Sequence, residues 1–154
     1  MRQAIPTILA ICLIISLSAC GGNSYSESDP RQVVIKTFGA MEDGNRSALA
    51  HYLDFGRLLN PGDRDITLKT DSVRNFRTPD ELLDDLLEGG LTHDRWFAMQ
   101  RVVGSSDQIG DTAWVEVSFI SNETNRQYLN KWGLHKIDGN WKIFSFATMD
   151  ADDY

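Results

Sequence analysis

The hydrophobic period of this chain changes once, near residue 90, and that change constrains the fold more than any other feature. Before it the apolar residues recur every three or four positions; after it they alternate. Val33, Val34, Thr37, Phe38 and Met41 form one face of a helix that Ser28 or Asp29 can cap and Pro30 can open. Gly44 ends that helix. Asn45 can cap a second one bearing Ala48, Leu49, Tyr52 and Leu53, and the spacing carries it to Leu59, before Asn60-Pro61-Gly62 breaks it. Residues 63–77 are ambiguous, with Ile66, Leu68 and Val73 sufficient only for a short strand. Thr78-Pro79-Asp80-Glu81 then reads as a capping box in which Thr78 and Glu81 satisfy each other's backbone N–H groups. Leu82, Leu83, Leu86 and Leu87 make the stripe of this helix, and Gly89-Gly90 closes it.

The alternating half predicts four strands, Arg95–Val103, Ala113–Ile120, Gln127–Ile137 and Trp141–Ala147. Gly104–Asp111 and Ser121–Asn125 supply turns, and Asp138-Gly139-Asn140 signals a tight hairpin. Helices followed by strands with short links give an α+β fold: two to three N-terminal helices packed on a curved four-stranded antiparallel meander. In the last strand Trp141, Ile143 and Ser145 face one way and Lys142, Phe144 and Phe146 the other. In the second, Ala113, Val115, Val117 and Phe119 oppose Trp114, Glu116, Ser118 and Ile120. A one-sided sheet is polar on its outer face. Apolar residues on both faces therefore point either to packing against helices and loops or to a homodimer through the sheet.

Ahead of this domain, residues 29–149, lies a leader. Arg2 precedes an apolar run, Ile8 to Leu17, too short for the roughly 20 residues a membrane span needs. Residues 1–19 therefore read as a signal peptide. Leu17-Ser18-Ala19-Cys20 resembles the lipobox of bacterial lipoproteins. The resemblance implies that Cys20 receives a diacylglyceryl group, that a peptidase cuts before it, and that the new amine is often acylated. Two or more acyl chains anchor a protein stably. Gly21, where an aspartate would favour the inner membrane, implies an outer-membrane location facing the periplasm. Residues 20–28 read as the lipidated cysteine and a tether, rich in Gly, Ser and Asn, with a reach near 15–18 Å.

Cys12 falls in the leader and Cys20 is used by lipid, so no disulfide, thiol nucleophile or cysteine metal site is expected. Without the leader the chain has 14 basic residues (15 less Arg2) against 22 acidic, a net −8. That balance argues against nucleic acid and against electrostatic docking on anionic lipid. Residues 150–154 read as an acidic, solvated tail.

The opening helix with its Glu42-Asp43-Gly44-Asn45 exit, the short second helix and the closing hairpin 134–143 resemble the nuclear-transport-factor-two-like superfamily of cone-shaped α+β domains. The resemblance spans most of residues 30–147. It implies a conical pocket between helices and sheet, and frequent sheet-to-sheet dimers. Some enzymes of that superfamily use an aspartate base and a tyrosine donor in an apolar pocket. Tyr52, Asp54, Glu116 and Tyr128 are available here but match no specific motif, so no catalytic residue is assigned.

No phosphate loop, zinc spacing, nucleophile elbow or calcium loop appears. His51, His93 and His135 are not at metal-ligand spacing within one element, and no metal or cofactor is expected. Trp96, Trp114, Trp132 and Trp141 fall one to each predicted strand, as core or as the lining of a pocket for an apolar or sugar-like ligand. His93-Asp94-Arg95-Trp96, at the mouth of the first strand, is the most mixed cluster and the first choice for a pocket rim. Tyr52, His93, Trp96, Trp114, Tyr128 and Trp132 are the candidate lining residues. The resulting expectation is a lipid-anchored binding domain for a small apolar ligand or an envelope protein. The alternatives are an isomerase- or hydratase-type pocket enzyme and a structural subunit of an envelope assembly.

Overall fold

The computed structural model describes residues 29–60 and 76–149. The leader, Cys20, the tether, the Ser28 cap, the Ile66–Val73 region and the acidic tail lie outside the described residues. Among the described residues five helices, α1 (Pro30–Glu42), α2 (Arg46–Tyr52), α3 (Phe55–Leu58), α4 (Pro79–Leu86) and α5 (Leu91–Phe97), precede four strands. These are β1 (Met99–Ile109), β2 (Thr112–Ser121), β3 (Gln127–Ile137) and β4 (Asn140–Met149), which form one antiparallel sheet in the order β1-β2-β3-β4. The α+β architecture follows the change of period.

Local chemistry sets most of the helix ends. Asp29 caps α1 by accepting from the Arg31 N–H at 2.9 Å, and Pro30 occupies the first turn. Val33, Val34, Thr37, Phe38 and Met41 are all buried. The Thr37 hydroxyl is satisfied inside the core by donating to the Val33 carbonyl at 2.8 Å. Gly44 turns the chain at φ 64, and Asn45 caps α2 through the Ala48 N–H. In α4, Thr78 accepts from the Glu81 N–H at 3.2 Å. The Glu81 carboxylate reaches the Arg77 N–H at 2.8 Å rather than that of Thr78, so the box closes one residue earlier than expected.

Two helix boundaries depart from the sequence pattern. The second helix does not run to Leu59. Leu53 becomes extended (φ −101, ψ 140) and forms a parallel bridge with Ile143, and the Asp54 N–H donates to the Ile143 carbonyl at 2.8 Å. Pairing with the sheet edge overrides helix propensity here, and Asp54 then caps the single turn of α3. The first strand does not begin at Arg95 either. Residues 91–97 are helical, with the Asp94 N–H on the Gly90 carbonyl and the Ala98 N–H on the Asp94 carbonyl. Trp96 therefore sits on α5, and the tryptophans are not one to each strand.

Within the sheet, β1 continues through the expected turn at Gly104 to Ile109. An extra residue between Val103 and Ser106 shifts its register against β2. The turn is confined to Gly110, at φ 60, and Asp111. Asp138 and Gly139 both take positive φ, 51 and 80, as a tight primed hairpin turn needs. A second bulge falls in β4, where Gly133 pairs with Ser145 but Leu134 with Ile143, leaving Phe144 as the extra residue. The expected alternation is corrected accordingly: Phe146 joins Trp141 and Ile143 on the helix-covered face, and Ser145 lies on the other.

The core fills that helix-covered, concave face. Val33, Val34, Phe38 and Met41 of α1 and Leu82, Leu83 and Leu86 of α4 belong to one cluster with Val115, Val117, Phe119, Trp132, Leu134, Trp141 and Ile143 of the sheet. Arg46 ties α2 to α4 at the surface, donating to Asp80 at 2.8 Å and Asp84 at 2.6 Å. Hydrogen bonds to Asp80 first, then Asp84, raise the guanidinium above its usual pKa.

Candidate functional site

The concave face of the sheet is aromatic at its centre. Trp132 of β3 lies 4.9 Å from Phe38 of α1, 5.2 Å from Trp96 of α5 and 4.7 Å from Phe146 of β4, measured between ring centroids. Trp96 also stacks on Phe119 at 5.2 Å. Side chains on β3 alternate, so Tyr128, Asn130, Trp132 and Leu134 all point to this face. Asn130 is therefore a polar residue in an apolar setting. Its Oδ1 and the Trp132 Nε1 are buried with no hydrogen-bond partner.

Arg101 of β1 reaches the same region. Its guanidinium lies 3.9 Å over the Phe97 ring and 5.9 Å from that of Phe38, and it donates to the Trp96 carbonyl at 3.3 Å. Such stacking suits arginine's planar, weakly hydrated head. His93 stacks on Phe97 at 4.2 Å.

The opposite, outer face of the sheet carries a second cluster. Trp114 of β2 and the bulged Phe144 close over Gly133, their rings edge to face at 5.5 Å. Arg57 of α3 lies 3.5 Å over the Phe144 ring. Beside them His135 Nε2 is 2.8 Å from Asp54 Oδ2, with both side chains largely buried. Asp54 thus caps α3, bonds the sheet edge and holds a histidine on the outer face.

The six candidate lining residues separate on this framework. Trp96 and Trp132 meet in the concave interior. Tyr128 shares their face but is 40 % exposed, with Arg126 at 5.4 Å from its ring. His93 is on α5 against Phe97, so the His93–Trp96 cluster is helical rather than a strand mouth. Tyr52 is part of α2, half-buried against the core and edge to face with the exposed His51. Trp114 belongs to the outer face. Lys142 Nζ donates to the His51 backbone carbonyl, and His51 is exposed. The histidines do not converge, and among the described residues no group of three or more His, Cys, Asp or Glu side chains could hold a metal ion.

Sequence reasoning missed Asn130, Arg101 and the Asp54–His135 pair. The first was legible, since Asn130 interrupts an apolar alternation in β3. The pair was not, because 81 positions separate its members. An open groove between α4 and α5 is lined by Phe76, Glu81, Asp84, Asp85, Leu91 and Asp94, of whose four carboxylates that of Asp85 is buried.

No protein-family model and no curated protein matches the chain. Solved structures do. A five-substitution variant of a protein named Rd1NTF2_05 is 16% identical over 80% of this chain and 100% of its own, with a TM-score of 0.52. An NTF2-like protein from Burkholderia thailandensis is 14% identical over 78% of this chain and 88% of its own, with a TM-score of 0.41. The described residues of this chain thus have the NTF2-like fold: helices over the concave side of a four-stranded antiparallel sheet.

Proposed function

We propose that this protein is a lipid-anchored component of a bacterial envelope, held at the outer membrane through Cys20, whose domain binds a small apolar ligand without catalysis. The NTF2-like fold is consistent with small-ligand binding. The observation that supports the reading is the aromatic cluster of Phe38, Trp96, Phe119, Trp132 and Phe146 on the concave face, the face on which Asn130 Oδ1 and Trp132 Nε1 are buried with no hydrogen-bond partner. Binding sites of this kind are mostly apolar with a few placed polar groups. The leader motif supports the anchor, and among the described residues no helix is long and apolar enough to cross a membrane.

The test is thermal melting of the purified mature chain, residues 20–154 with Cys20→Ser, against a broad panel of small apolar compounds. A ligand-dependent rise in Tm is expected. No shift across the panel contradicts the reading.

A second copy of the chain is the proposed protein partner. Val102 is 42% exposed, Ile109 84% and Ile137 39%, and all three belong to the outer face of the sheet by register. Such a surface favours association.

A further inference from the structure

The charges on the outer face of the sheet are sorted by strand. Register places Asp107 of β1 and Glu116 of β2 on that face. The cation of these two strands, Arg101, is on the concave side, opposite Phe119. The outer face of β3 and β4 instead carries Lys131, His135 and Lys142, and neither strand contains an acid. Arg57 of α3 lies over Phe144 beside them. Asp54 reaches this half from beyond β4 and is held by His135 at 2.8 Å. One half of the face is therefore acidic and the other basic.

The two halves meet at the β2–β3 ladder, where Glu116 and Lys131 share a row. Glu116 accepts from the Ser105 hydroxyl of β1 at 2.8 Å, and Lys131 makes no ion pair among the described residues. Both are partly exposed. A cation and an anion side by side on a flat face can each take a counter-charge from a second molecule.

Two copies of one chain in a closed contact present the same patch to each other. For two sheets packed face to face, the two-fold axis lies between them, either across the strands or along them. An axis across the strands lays β2 on β2 and β3 on β3. Glu116 then meets Glu116 and Lys131 meets Lys131, and such like-charge contacts suppress an arrangement. An axis along the strands, between β2 and β3, lays β2 on β3 and β1 on β4. Glu116 of each copy then meets Lys131 of the other, and Asp107 is carried to the side of Arg57 and Lys142. Aligned sheets lie about 10 Å apart and cross at about 30°, so rows near the axis stay in register.

We propose that the outer faces of two copies pack about an axis running along the strands between β2 and β3, with the acidic half of each on the basic half of the other. The proposal rests on the second-copy reading above and fixes the orientation of that contact. The exposed Val102 and Ile109 add apolar contact, and the charges select the arrangement.

The test is native mass spectrometry of the full-length protein released from excess detergent micelles. Wild type is compared with Glu116→Lys, Lys131→Glu, the charge-exchanged double variant, and an equal mixture of the two single variants. Glu116→Lys leaves only cations at the centre of the face and Lys131→Glu only acids. Each single variant is expected to self-associate at least about tenfold more weakly than wild type. The double variant and the mixture, whose central charges are again complementary, are expected to regain wild-type dimer. The mixture also shows that both single variants fold.

Single variants that dimerise as wild type does, with a mixture tighter than wild type, are the signature of an axis across the strands and overturn the proposal. A double variant or a mixture that stays as weak as the single variants overturns it too, and the second-copy reading still stands on the wild-type dimer. A wild-type chain that stays monomeric instead removes the second-copy reading, and the orientation with it.

Discussion

Gly133 shows how one residue couples the two faces of the sheet. A Cβ there would lie 2.7 Å and 2.9 Å from two Phe144 ring atoms and 2.9 Å from the Trp114 ring. The glycine leaves room for both rings to approach the backbone where β4 bulges. Gly133→Ala is expected to cost about 1–3 kcal/mol through overpacking, read as a lower urea midpoint. Phe144→Leu should recover part of that loss in a double-mutant cycle, and an unchanged midpoint for Gly133→Ala would contradict this packing. Phe144 was visible in the sequence as an aromatic on the unexpected face. The bulge that puts it there was not, because one added residue leaves local alternation intact until the partner strand fixes the register. Asn130 behaves oppositely: its position alone marks it as polar among inward-facing residues. Removing a buried, unpaired acceptor relieves a desolvation penalty of roughly 1–3 kcal/mol. Asn130→Leu is therefore expected to leave the melting temperature of the ligand-free protein unchanged or raised, and a fall of several degrees would show that Oδ1 is already satisfied.

At the scale of elements, ends governed by local chemistry were legible and ends governed by tertiary contact were not. Asp29, Asn45 and Thr78 each cap the helix that the sequence assigned to them. Asp138-Gly139 makes the hairpin its composition demands. The break at Leu53 has no local signal, since it answers the Ile143 carbonyl on a strand some 90 residues away. The strand predicted from Arg95 failed because Trp96 and Phe97 are adjacent aromatics, which fit a short helix contacting two surfaces as well as they fit a strand. Asp54 is where the second helix, the third helix and the sheet meet. Its side chain accepts from the Arg57 N–H at 3.4 Å and contacts His135 at 2.8 Å. Asp54→Ala should therefore cost about 1–2 kcal/mol, the range of a lost cap, while Asp54→Asn, which can still cap, should cost about half as much. Chemical denaturation separates the two, and equal losses would assign the whole effect to the contact with His135.

For the whole molecule, the change of hydrophobic period was enough to read the class of fold, whereas the six candidate lining residues were scattered, with Trp96 and Trp132 meeting on the concave face and Trp114 on the outer one. What the outer face does depends on other molecules. Val102, Ile109 and Ile137 are exposed apolar side chains on that face, among polar ones such as Asp107 and Glu116. The mature chain is expected to sediment as a dimer at micromolar concentration. Val102→Asp, which carries a charge without a counter-charge into a two-fold contact, should shift it to monomer while changing the unfolding free energy of the monomer by no more than about 0.5 kcal/mol. A wild-type chain that stays monomeric at high concentration would remove the second copy as the partner.

A lipid on Cys20, as proposed, would hold the domain within a short tether of a bilayer. The direct measurement is membrane fractionation of the protein carrying Cys20→Ser, compared with the wild type in the same bacterial host. The wild type should be processed before residue 20 and recovered with the membrane, and the variant should remain unprocessed and lack acyl chains by mass spectrometry. Identical processing, mass and fractionation of the two proteins would contradict a lipid on Cys20 and, with it, the envelope role.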